Sequence, residues 1–79
     1  MEQNIREIET TRISPNLRMV YSTECIEEMV QCIKQQGQVE PIQISFERNS
    51  FKILDGEKRW RACKRLKIKT VKAIIVEPL

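Results

Sequence analysis

Asp55, Gly56, Glu57, Lys58, Arg59 and Arg61 place two carboxylates, a glycine and three cations within seven consecutive positions. The stretch follows Phe51-Lys52-Ile53-Leu54, which reads as a strand, and opens a segment that reads as a helix. A strand that turns into a helix at an Asp-Gly corner leaves several backbone N–H groups without helical acceptors. Those groups and the positive end of the helix dipole suit an anion, phosphate above all. The predicted chemistry is therefore a phosphate-binding corner.

Each residue of the corner has more than one reading. Gly56 lets a backbone approach a phosphate closely, and it equally suits a tight strand–helix turn. Asp55 is read first as an N-cap, with a Mg²⁺ ligand beside a polyphosphate as the alternative. Glu57 reads as a first-turn glutamate favouring the dipole, or as a catalytic general base or ribose contact. On a wheel of about 100° per residue, Arg59, Trp60, Ala62, Cys63 and Leu66 share one arc, with Glu57, Lys58, Arg61, Lys64 and Arg65 opposite. An arginine inside an apolar arc needs a partner. It either pairs with a carboxylate such as Glu40 or Asp55, or reaches over the helix start to grip an anion. Trp60 borders that arc and reads as core rather than as a stacking platform.

The elements that must position this corner follow from the rest of the chain. Seventy-nine residues predict one domain over 1–79, burying only roughly 60% of its unfolded surface. A stripe of Cys25, Ile26, Met29, Val30 and Ile33 predicts a first helix, capped by Ser22 or Thr23 and ended at Gly37 in a left-handed conformation. Strands are predicted near 4–9, over Ile42–Phe46, Phe51–Leu54 and Thr70–Val76, and a second helix near 56–66. Ser14-Pro15-Asn16 reads as a turn, and Glu47-Arg48-Asn49-Ser50 as the loop of a hairpin. The helical connection to the last strand suits a crossover between parallel strands. The expected fold is α+β, in the order β-α-β-β-α-β, a small mixed sheet with two helices.

Composition narrows the function classes. The chain is 41% apolar and 32% charged, as a folded soluble domain would be. Its apolar runs fall short of the roughly 20 residues that span a bilayer, and its first residues are too polar for a signal peptide. The expectation is a cytoplasmic protein with no membrane partner. Cys25, Cys32 and Cys63 are expected to be buried small hydrophobes, with a reactive thiol at Cys63 the lesser alternative. With no histidine, a zinc site is not expected. The net charge is only +3, yet eight of the 14 basic residues lie between Lys58 and Lys72, a window without any acid. Lys64, Arg65, Lys67 and Lys69 in that block are candidates for contact with nucleic acid. A solvated helix face is the plainer alternative.

Three ordered elements resemble a known family. Gly56-Glu57-Lys58-Arg59-Trp60-Arg61-Ala62 resembles the Gly-Glu-Arg-Arg-x-Arg-Ala box of the ParB N-terminal domain. Gly37-Gln38-Val39-Glu40-Pro41-Ile42 is similar to that family's Gly-x-x-Gln-Pro-Ile/Leu element, with glutamate at position 40. Ile13-Ser14-Pro15-Asn16 with Arg18 resembles its Ile-x-Pro-Asn opening. The resemblance implies a ParB/sulfiredoxin-like fold that binds a nucleoside triphosphate, CTP foremost, with Mg²⁺. It implies that Gly56, Glu57, Lys58, Arg59 and Arg61 hold the triphosphate while Gly37, Gln38 and Pro41 flank the nucleotide. Lys58 stands where the family has arginine, a point charge in place of a fork. The 79 residues show no counterpart of the family's helix-turn-helix, its C-terminal dimerisation domain or its later Asn-containing motif. DNA is thus carried as a candidate second partner and a homodimer as a candidate assembly.

Other functions stay open at this point. Sulfiredoxin is similar in fold, but Glu57 occupies the position of its catalytic cysteine. Asp55-Gly56-Glu57-Lys58-Arg59 also resembles the Asp-Gly-x-x-Arg corner of a free serine kinase, so a phosphotransferase is an alternative. A nuclease is another, although Asp55 and Glu57 alone offer little for two-metal hydrolysis.

Overall fold

The computed structural model describes residues 4–15, 22–38 and 40–76. Asn16, Arg18 and Val39 of the motifs above lie outside them. The described residues form five strands and two helices, in chain order β1 (Ile5–Glu9), β2 (Ile13–Ser14), α1 (Thr23–Gln36), β3 (Ile42–Glu47), β4 (Ser50–Asp55), α2 (Glu57–Arg65) and β5 (Thr70–Ile75). A 3-10 turn, Thr10–Arg12, joins β1 to β2. The sheet order is β1-β5-β3-β4-β2.

Local chemistry accounts for the helix ends and the hairpin. Ser22 accepts a hydrogen bond from the Cys25 amide at 3.2 Å, the N-cap expected of a hydroxyl there. Gly37 closes α1 with φ 74° and ψ −174°, so its positive φ is as expected, but the chain leaves extended rather than left-handed helical. Glu47 and Ser50 close a two-residue loop in which Arg48 and Asn49 have φ 51° and 64°. Positive φ at both central residues is what a type I′ turn requires, and its twist matches the flanking strands.

Strand pairing departs from the expected crossover. β5 runs parallel to β3, its partner in the sheet, and antiparallel to β1. Because β3 and β4 are antiparallel, β4 and β5 run in opposite directions, and α2 does not bridge a parallel pair. The extra strand is β2, which pairs parallel with β4 through Ile13 and Ser14, so that Ser14, the first residue of the expected Ser14-Pro15-Asn16 turn, belongs to a strand. A two-residue strand carries too little alternation to be seen in sequence.

One apolar cluster joins the two helices to the sheet. Ile26, Val30 and Ile33 of α1 and Trp60, Ala62 and Cys63 of α2 pack with Ile42, Ile44, Ile53, Val71 and Ala73. The two helices also pack against each other. Trp60 is buried and its indole N–H donates to the Thr10 carbonyl at 3.0 Å, while the Thr10 hydroxyl donates to the Ile68 carbonyl at 2.6 Å. These bonds tie α2 to the 3-10 turn and to the entry of β5, so the helix that carries the corner is fixed at both flanks. The cysteines behave differently from one another: Cys63 is buried, Cys25 is half-buried and Cys32 is exposed. Cys32 sits at the edge of the α1 stripe, and the helix turns it to solvent. Burial raises the Cys63 thiol above its ordinary value of 9.0, which removes it as a reactive thiolate.

Candidate functional site

The corner is built by a bulge, a glycine and an arginine. Between Gln43↔Asp55 and Ile44↔Ile53 the β3–β4 register shifts, which leaves Leu54 as the extra residue at the end of β4. A bulge bends a strand and re-aims the chain. Gly56 then takes φ 92° and ψ 24°, a left-handed conformation, and α2 begins at Glu57. A Cβ at position 56 would lie 2.8 Å from Ile42 Cγ2 and 2.9 Å from Arg59 Nη1. Glycine is thus required by backbone angle and by space.

Asp55 is not the N-cap of the helix: Gly56 occupies that position. Asp55 is instead the last residue of β4, with its side chain exposed. The first helical bond runs from the Trp60 amide to the Gly56 carbonyl at 3.1 Å. The amides of Lys58 and Arg59 precede it and have no acceptor within the helix.

Arg59 folds back over the glycine. Its Nη2 donates to Glu40 Oε2 at 3.0 Å and its Nη1 to the Pro41 carbonyl at 3.4 Å. Only a quarter of the Arg59 side chain is exposed (25%), whereas Glu40 is 72% exposed. The arginine is therefore paired with a carboxylate, one of its two expected roles, but that carboxylate stands in solvent and leaves the guanidinium reachable. Beside it lies a hollow of about 280 Å³ bounded by Met29, Ile33 and Gln36 of α1, by Gly37, Gln38 and Glu40, and by Arg59.

Gln38 locks the segment that carries Glu40. Its Nε2 donates to the carbonyls of Glu40 and Lys72 at 3.0 and 2.8 Å, and its Oε1 accepts from the Lys72 amide at 2.7 Å. The side chain thus imitates one more strand residue beside β5, just before β3 takes over at Ile42↔Ala73.

Of the residues expected to hold the triphosphate, Gly56 and Arg59 come together with Gly37, Gln38 and Pro41, which were expected to flank the nucleotide. Arg61 does not join them, because residues two apart on a helix point about 200° apart. Arg61 binds Glu57 Oε2 at 2.9 Å, and it lines a separate, more open hollow of about 500 Å³ with Thr23, Trp60, Lys64 and Arg65. Glu57 is buried, at 3% exposure, although the wheel placed it on the polar side. The wheel ignores the sheet: the first turn of α2 sits in the corner against β3, so even its nominal outer face is covered. Lys58, next to it, is half-buried.

The basic block also divides. Arg65 pairs with Glu27 of α1 at 2.6 Å, and Lys64 lies over the Trp60 ring, 4.7 Å from its centre. Lys64, Lys67 and Lys69 line a third hollow of about 620 Å³ with Thr10, Thr11 and Ile68. Among the described residues no three His, Cys, Asp or Glu side chains gather as a metal cluster. No helix among them is long and apolar enough to cross a membrane. Sequence reasoning placed Met29 in the apolar stripe of the first helix rather than at the site, and it did not single out Gln36 or Thr10. Gln36 was signalled only by its place next to Gly37, and nothing signalled Thr10.

Residues 1–78 match the family described as the ParB N-terminal domain. The chain belongs to that family. A probable chromosome-partitioning protein ParB of Helicobacter pylori is 38% identical over 60 residues, covering 76% of this chain and 21% of the relative. The chain spans about a fifth to a quarter of the length of the curated relatives it matches. Among solved structures, C-terminally truncated ParB from Caulobacter crescentus complexed with CTP-γ-S superimposes with a TM-score of 0.86 at 27% identity, covering 96% of this chain and 46% of the other. Sulfiredoxin from Arabidopsis thaliana superimposes with a TM-score of 0.83 at 21% identity, over 95% of this chain and 86% of that one, a likeness of fold. The α+β, ParB/sulfiredoxin-like architecture is thereby shown.

Proposed function

We propose that this domain binds a nucleoside triphosphate, CTP foremost, as its complex with Mg²⁺. The observation that carries the proposal is Arg59: its guanidinium lies over a left-handed glycine at a helix start and borders a hollow lined by Gly37 and Gln38. A fork at that place meets two phosphate oxygens at once, and the amides of Lys58 and Arg59 supply further donors. The ParB relative complexed with CTP-γ-S supports the same assignment. The base and ribose would lie towards Gly37, Gln38 and Pro41. Lys58 would add positive charge beside the phosphate chain, whereas Arg61, held by the buried Glu57, faces a separate hollow and would act only through the general field.

Mg²⁺ keeps most of its ligands as water and phosphate oxygens, and needs one or two carboxylates from the protein. Asp55, exposed and not used as a cap, fits that demand as an oxygen donor beside the corner. The ion would neutralise part of the phosphate charge.

Titration calorimetry of the chain with CTP, ATP and GTP, each with Mg²⁺, tests the proposal. CTP is expected to bind and to bind best. Absence of heat for all three at millimolar concentration would refute it. A second reading, contact with nucleic-acid phosphates, is favoured by Lys64, Lys67 and Lys69 around one hollow. It requires affinity for DNA of unrelated sequences that falls steeply with salt. Binding that persists after these lysines are changed to glutamate would refute it.

A further inference from the structure

The group that the nucleotide site most needs is already engaged by an anion of the chain's own. Arg59 is pinned from below by Gly56 and the Pro41 carbonyl, and its open side is met by the Glu40 carboxylate. A carboxylate and a phosphate offer a guanidinium the same pair of oxygens. Glu40 cannot drift far from this position. Gln38 bonds the Glu40 carbonyl and clamps Lys72 of β5 on both its backbone groups, and Pro41 restricts the chain immediately after it.

Resting on the nucleotide-site reading above, we propose that Glu40 is a built-in competitor for the Arg59 fork that sets the affinity of this site for phosphate. An incoming phosphate must displace the carboxylate and then bind beside it. Glu40 is largely exposed, so the pair it breaks is weak. Arg59 is therefore unavailable for part of the time, and the apparent affinity falls by the fraction in which it is free. The displaced carboxylate stays tethered nearby and repels the phosphate through solvent. Together these effects are expected to weaken phosphate binding by about three- to tenfold relative to a neutral side chain. Any oxyanion that uses Arg59 bears this penalty, and a ligand held elsewhere on the domain bears none.

The test is calorimetry with inorganic tripolyphosphate, and with CTP, each with and without Mg²⁺, on the 79-residue chain and on Glu40→Gln. Glu40→Gln is expected to bind both probes about three- to tenfold more tightly, with the gain shrinking as salt rises. Glu40→Ala should gain likewise, which guards against a peculiarity of the amide. In an Arg59→Ala background the gain should shrink to the part that repulsion through solvent supplies, because the competition runs through that guanidinium. Equal affinity in wild type and Glu40→Gln overturns the inference while leaving the nucleotide site intact. Weaker binding in Glu40→Gln, above all with Mg²⁺ alone, also overturns it, since Glu40 would then belong to the ligand's own coordination. Failure of every form to bind any probe removes both the inference and the site.

Discussion

Gly56 is the residue on which the corner turns, and Gly56→Ala measures how much. The change imposes two separate costs. A non-glycine residue at φ 92°, in the left-handed region, is strained by roughly 1–2 kcal/mol. The new Cβ would also stand 2.8 Å from Ile42 Cγ2, and Ile42 is wholly buried, so β3 or α2 must shift. Such overpacking typically costs about 1–3 kcal/mol. Gly37→Ala is the control. Its φ of 74° with extended ψ is also unfavourable for alanine, but no atom lies within 4 Å of the added methyl. Strain alone, about 1–3 kcal/mol, applies there. Urea unfolding should show Gly56→Ala destabilised by about 3 kcal/mol in all, equivalent to a fall of roughly 12–24 °C in Tm, and Gly37→Ala destabilised by less. A double-mutant cycle isolates the contact: in an Ile42→Ala background, Gly56→Ala should cost about 1 kcal/mol less. A Gly56→Ala variant no less stable than Gly37→Ala, or a cycle without coupling to Ile42, would refute the reasoning.

Other outcomes follow from the same geometry. Gln38→Ala should lower stability by about 1–2 kcal/mol and speed amide hydrogen exchange at Lys72 far more than at Ala73, because only the Lys72 amide bonds the Gln38 carbonyl oxygen. Thiol labelling of the native chain should modify exposed Cys32 first and Cys63 only on unfolding. The raised Cys63 pKa gives a signed pH effect. The folded state holds the proton more tightly than the unfolded one, so the contribution is complete below about pH 9 and is lost as pH climbs past that value. Cys63→Ala should flatten that alkaline decline in urea-unfolding stability.

How much of this was legible in the residues depended on how local the cause was. The α1 cap at Ser22, the hairpin loop at Arg48-Asn49 and the glycine corner are set by neighbours in sequence, and each is where the pattern put it. Strand order is not local, and the pairing of β5 with β1 and β3 rests on which faces pack together. Side-chain roles at the corner were legible in type but not in placement. The Glu40 pairing was among the options for Arg59, yet nothing in the spacing decided that Asp55 would end a strand instead of capping α2. The buried Glu57 was hidden because a helical wheel knows nothing of the sheet beneath it. The separation of Arg59 from Arg61 was, by contrast, already implicit in their positions two residues apart.

Titration of CTP with Mg²⁺ into Arg59→Ala, alongside its unfolding curve, bears most directly on the phosphate corner. Losing charge-assisted bonds to phosphate should weaken binding by about 10- to 100-fold. Stability should change by less than about 1 kcal/mol, since the carboxylate partner stands in solvent. A variant that binds CTP as wild type does but unfolds several kcal/mol more easily would show that Arg59 serves the fold and that the corner does not hold phosphate.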